Sequence, residues 1–270
     1  MADSHVRPPA PFVPRALPQR DTVTAWSILL LLAVFAWLVT IQRASGMDTG
    51  TGTMGVTLPV FLVFWITMMV AMMLPSVAPV AISWARAIGK QSSGLRRASR
   101  MTQFLSGYLL AWGTFGGFAY AAFLILERVL RINPDAGRWI GAVAFAAAGL
   151  QQLGPLKDVC LRHCRSPFMQ LLHYAQVSGW ARDLRVGAHH GSYCVGCCWG
   201  LMVLLVPLGV MNIPAMAALA TLIFLEKLWR RGPALARLTG VVFLVFAVLA
   251  PFQPWLLPGI NPSDTMEVME

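Results

Sequence analysis

Three of the five cysteines, Cys194, Cys197 and Cys198, fall within five residues of one another, and Cys160 and Cys164 lie just upstream. No cysteine precedes 160 or follows 198. In a helix, at about 100° per residue, His190, Cys194, Cys197 and Cys198 share roughly 100° of arc. One imidazole and three thiols then occupy one face over about two turns. A single buried cysteine is commonly just a small apolar side chain. Three on one arc beside a histidine favour metal or redox chemistry, because thiolates are the ligands of soft ions and the nucleophiles of disulfide exchange. Gly187, Gly191, Gly196 and Gly200 thin the same segment and allow another helix to approach closely.

A second group lies in Leu156–Pro167, LKDVCLRHCRSP. Cys160 and Cys164 are four residues apart, and with His163 they too share about 100° of helical arc. The spacing is not the C-x-x-C of structural zinc sites. Lys157, Arg162 and Arg165 favour thiolate. A ligand set and a basic interfacial loop that happens to carry cysteines both remain open. A third group is methionine: Met68 with Met72 and Met69 with Met73, each four residues apart. Thioethers suit Cu(I), but methionine also fills gaps in ordinary cores, and packing is the preferred reading. Pro75 in the same stretch removes a helical hydrogen bond, which shapes a cavity or simply a kink. His189 and His173 read as satisfied interfacial histidines, and Asn212 as a cap at a helix end.

The elements that position these groups are apolar helices. The 270 residues are 57% hydrophobic and 12% charged, against about 25% charged in soluble domains. The expected architecture is an all-α integral membrane protein with about seven spanning helices. They fall near Ala25–Ile41, Val56–Ser83, Thr102–Leu126, Trp139–Leu153, Gly187–Val210, Pro214–Leu228 and Leu238–Leu256. Residues 1–24 read as a disordered basic tail, 25–256 as one polytopic domain and 257–270 as an acidic tail. Ala85–Arg100 reads as a basic loop. Gly154 to about Val186 is the longest loop, with a short surface helix from Ser166–Pro167 to about Gln176. With the N-terminus inside and the C-terminus outside, seventeen of the 21 lysines and arginines fall on the cytoplasmic side, as the positive-inside rule requires. The cysteine-rich loop between helices four and five then faces the cytoplasm, where thiols stay reduced. The net charge of +10 is explained by these loops and by anionic lipid rather than nucleic acid. All eleven acidic residues fall in loops, tails or helix ends, which argues against a pump built on intramembrane carboxylates.

Taken together, Met69–Pro79 (MVAMMLPSVAP), Leu156–Pro167 and Cys194–Asn212 (CVGCCWGLMVLLVPLGVMN) resemble a bacterial family of metal-binding integral membrane proteins. That family is linked to copper supply for copper-dependent oxidases such as tyrosinases. The similarity runs from the second helix to about the sixth, and CxGCCWxLM is its most specific part. The resemblance implies Cu(I) as the metal, ahead of zinc or iron. It implies Cys160, Cys164, Cys194, Cys197 and Cys198 as metal residues, with Met68, Met69, Met72 and Met73 as helper ligands, in a multi-pass protein of the bacterial inner membrane. A copper donor or a copper-dependent oxidase would be the partner. Cytoplasmic thiols and an exported oxidase lie on opposite sides, and a path along the methionines would join them.

The leading expectation is a Cu(I)-binding protein that receives, holds or hands over copper and is not an enzyme. The alternative is a membrane thiol–disulfide oxidoreductase, with Cys194 and Cys197 as a C-x-x-C pair passing electrons to a quinone. A third is a zinc or iron–sulfur centre that staples the loop to helix five.

Overall fold

Long apolar runs recur along the chain, longer than strands need. In a computed structural model, residues 19–44, 53, 55–89, 92–166, 174, 177 and 179–260 are described, and they form helices and no strand. The helices are α1 (Gln19–Ala44), α2 (Leu58–Gly89), α3 (Gly94–Ile132), α4 (Ala136–Leu153), α5 (Pro155–Arg165), α6 (Arg182–Val203), α7 (Leu205–Leu208), α8 (Ile213–Leu228) and α9 (Gly232–Leu249). A 3-10 turn follows at Pro254–Leu256. The all-helical expectation holds. Among the described residues, four helices are long and apolar enough to cross a membrane: α1 from Trp26, α2, α3 and α9. The expected N-terminal tail up to residue 18, the end of the acidic tail from 261, and the surface helix with His173 (apart from Ser166 and Tyr174) lie outside the described residues.

Several expected boundaries are corrected. Hydropathy marks where a chain leaves an apolar medium, not where its helix ends. At 1.5 Å per residue, α2 and α3 reach about 48 and 58 Å, well beyond a hydrocarbon core of about 30 Å. The basic stretch Ala85–Arg100, expected as a loop, is therefore mostly helix: α2 continues to Gly89 and α3 begins at Gly94. The long loop after Gly154 likewise contains α5 and the first turn of α6. Gly154 is extended, and Pro155 opens α5 at a position where its missing N–H costs nothing.

The fifth predicted helix runs from Arg182 to Val203, ending earlier than Val210. Pro207 lacks the N–H that would bond back to the Val203 carbonyl. The chain continues as α7, turns at Gly209 with φ +93, and restarts at α8. There Asn212 caps the helix: its Oδ1 accepts from the Ala215 N–H at 3.1 Å, and its Nδ2 donates to the Leu208 carbonyl at 2.9 Å.

The closest helix pair is α3 and α6, which run parallel. A Cβ on Gly187 would lie 1.9 Å from the Phe104 carbonyl oxygen, and one on Gly107 would lie 2.0 Å from that of Leu184. Glycine is the only residue that permits this approach. Arg100 of α3 grips Asp183 of α6 through two hydrogen bonds, 2.7 and 3.1 Å, and sets the register of the pair. On the other side of α3, α2 runs antiparallel. Its Trp84 stacks on Phe104, its Phe61 meets Tyr120, and the Trp65 Nε1–H donates to the Trp112 carbonyl at 3.0 Å. Helix α4 packs antiparallel to α9, with Gly149 against Gly240 and Gly141 against Leu257 beyond the end of α9. The core enclosed by these helices holds all five cysteines together with Met68, Met69, Met72, Met73, Met202 and Met216.

Candidate metal centre

Helix α6 buries Val186, His190, Cys194, Cys197, Cys198 and Leu201, the three- and four-residue spacing of one helical face. The sulfurs of Cys194, Cys197 and Cys198 all lie within 4.8 Å of one another. The Cys197 and Cys198 sulfurs are 3.3 Å apart. These three residues are at most 1% exposed. All five cysteines are free thiols. Among the described residues no carboxylate joins the three sulfurs. Such a donor set suits a soft, thiophilic ion and gives little to a hard one that prefers oxygen.

Two polar groups from other helices converge on Cys194. The Lys227 ammonium of α8 donates to its sulfur at 3.0 Å, and the Tyr108 hydroxyl of α3 lies 3.1 Å from it. Lys227 also donates to Ser76 Oγ at 3.3 Å, one residue past Pro75 on α2. These contacts fix the rotamer of Cys194 and place a positive charge beside sulfurs that must be anionic to bind metal.

Cys197 is held through its backbone. Its carbonyl accepts from Lys157 Nζ at 2.7 Å and from Gln151 Nε2 at 3.2 Å. Lys157 in turn pairs with Glu226 at 2.6 Å, both side chains being 1% exposed. Burial opposes the charge on Lys157. Glu226 and the sulfurs of Cys198 and Cys197 more than offset this and hold its pKa above the usual lysine value. Gln152 Nε2 donates to the second Glu226 oxygen at 2.6 Å, and Arg165 donates to the Glu226 carbonyl at 2.5 Å.

Helix α5 buries Lys157, Cys160, Leu161 and Cys164, one stripe, against this network. Its two cysteines are placed differently. The Cys164 sulfur lies 3.8 Å from that of Cys197. Cys160 packs its sulfur over Gly196, where a Cβ would come within 2.8 Å. Burial pushes the Cys160 thiol up, with Lys157 acting against that rise.

The predicted histidines do not join the sulfurs. The three cysteines are the one group of metal-binding side chains that converges among the described residues. His190 is buried with its ring stacked on Phe104 and Tyr108, and its Nδ1 has no hydrogen-bond partner among the described residues. His163 stacks on Tyr193 at 3.9 Å, with its Nε2 3.2 Å from the Tyr174 hydroxyl. His189 Nδ1 lies 3.4 Å from that hydroxyl. Met68, Met69, Met72 and Met73 are at most 3% exposed and pack in the same core as the cysteines.

Sequence reasoning missed Tyr108, Lys227, Glu226 and Gln151. Glu226 counts among the acidic residues at helix ends and Lys227 among the cytoplasmic cations, yet both are buried. A signal was present: α8 carries two charges in its last turn, on a helix with no other charged residue.

A family model described as a copper chaperone, PpoB2, matches residues 62–250, well over half of the chain, so the chain belongs to that family. No curated protein and no solved structure matches it.

Proposed function

We propose that this member of the copper chaperone family binds Cu(I) on the Cys194, Cys197 and Cys198 thiolates and hands it on to a copper-dependent oxidase or its delivery partner. Three buried sulfurs converging without a carboxylate carry the reading. The copper ion is cargo. Cys194 is preset by Lys227 and Tyr108, and Cys197 by the backbone clamp of Lys157 and Gln151. Cys160, Cys164 and His163 bring further donors on α5, while His190 and the Met68–Met73 cluster supply neutral ones nearby. The chain acts as a carrier and not as an enzyme. It sits in the bacterial inner membrane as a multi-pass protein, with α1, α2, α3, α4, α6, α8 and α9 as its spans and α5 on the cytoplasmic side.

A second reading, thiol–disulfide exchange with a quinone, draws on the 3.8 Å approach of Cys164 to Cys197. Elemental analysis separates the two. The protein is purified reduced in detergent beside a Cys194/Cys197/Cys198→Ser variant. Copper at one or two ions per chain, lost in the variant, is the expected result. Zinc or iron would replace copper chaperoning with a structural or redox centre. A metal-free parent, with a Cys164–Cys197 disulfide captured by thiol trapping in cells before reduction, would establish the exchange reading instead.

A further inference from the structure

Cys164 stands in a particular relation to the other sulfurs. It lies 3.8 Å from Cys197 but outside the set of three that are mutually within 4.8 Å. It therefore cannot complete one compact centre with all three in this arrangement. Cys197 is the shared member, 3.3 Å from Cys198 on one side and 3.8 Å from Cys164 on the other. The sulfurs form a short chain and not a closed cage.

Burial gives the chain a direction. Cys194 and Cys197 are fully buried and Cys198 is 1% exposed, whereas Cys164 is 8% exposed, the most of the five cysteines. Cys164 also sits in the last turn of α5, a short helix with Leu156 and Val159 half exposed.

We infer that Cys164 and Cys197 form a second, outer two-sulfur seat through which Cu(I) enters and leaves the inner triad. This deepens the copper reading and rests on it. Two thiolates suffice for Cu(I), and a shared sulfur lets the ion move without ever being bare. In the outward step the Cu–S(Cys164) bond forms while the bonds to Cys194 and Cys198 break, and Cu–S(Cys197) persists. The proton lost from the Cys164 thiol is balanced by one gained on a vacated triad sulfur. The ion stays Cu(I), so no electron moves. Lys227, 3.0 Å from Cys194, supplies a hydrogen bond to the sulfur that copper vacates.

The test compares Cys164→Ser with Gly117→Ala in the full-length reduced protein, loaded with one Cu(I) and transferred to bathocuproine disulfonate. Absorbance of the copper–chelator complex gives both the equilibrium affinity and the transfer rate. Cys164→Ser is expected to keep the affinity within about threefold and to slow transfer at least tenfold. Gly117→Ala, on α3 where an added Cβ meets nothing within 4 Å, is expected to change neither. An unchanged rate in Cys164→Ser, equal slowing in both variants, or loss of binding in Cys164→Ser would each overturn the outer seat. Circular dichroism and elution volume matching the parent establish that either variant has folded. If the parent itself binds no Cu(I), the copper reading fails and not merely the seat.

Discussion

Gly187→Ala tests whether the α3–α6 contact sets the geometry of the sulfur site. The added Cβ would lie 1.9 Å from the Phe104 carbonyl oxygen and 2.8 Å from its carbon. Carbon–oxygen contacts settle near 3.3 Å, so the helices must part by roughly 1.4 Å at this level. Both clashing partners are backbone, so no rotamer change relieves them. Overpacking of this kind costs about 1–3 kcal/mol, occasionally more. The displacement also reaches the site two turns along. Tyr108 is one residue beyond Gly107 on α3, and its 3.1 Å contact with Cys194 cannot survive a shift of that size.

Gly117→Ala is the control: the same chemical change on α3, at a position where a Cβ meets nothing within 4 Å. There the better helix propensity of alanine is worth up to about 1 kcal/mol. Thermal unfolding in detergent should place Gly187→Ala below Gly117→Ala by about 2–16 °C, taking 2–4 °C per kcal/mol over about 1–4 kcal/mol. Copper affinity should fall in the first variant and hold in the second. Equal melting temperatures with equal copper binding would refute the claim that close glycine packing positions the cysteines.

Two further outcomes follow from the same network. Glu226→Gln removes the counter-charge of Lys157, which is 1% exposed. Stranding a buried charge should cost about 3–5 kcal/mol. Adding Lys157→Met should recover most of it, and a double-mutant cycle that shows simple additivity would exclude the pair as the clamp on Cys197. Gly196→Ala would bring a Cβ within 2.8 Å of the Cys160 sulfur. Its destabilisation, about 1–3 kcal/mol for such overpacking, should be largely relieved by Cys160→Ala in the same chain. An equal drop in melting temperature with and without Cys160→Ala would show that Cys160 does not sit where the contact places it.

Much of this protein is a local matter and could be read from residue order. Apolar composition and the length of the apolar runs determined the all-helical fold. The 3.6-residue period placed Cys194, Cys197 and Cys198 on one face, because positions three and four apart align in any helix. Asn212 before Ile213–Pro214 marked a cap for the same reason. Helix ends were less legible, because Ala85–Arg100 is polar enough to leave lipid yet still helical. The rest depended on packing. Cys164 and Cys197 are 33 residues apart, as are Cys194 and Lys227, and Tyr108 and Cys194 are 86 apart. No periodicity relates them. They meet because glycine brings α3 against α6 and because Gly154–Pro155 turns α5 back onto α6 and α8. The same packing decided that Lys227 and Glu226 face inward. A charged residue at a helix end goes to water unless a buried partner receives it, and only the assembled helices bring a cysteine sulfur to Lys227 and an ammonium to Glu226.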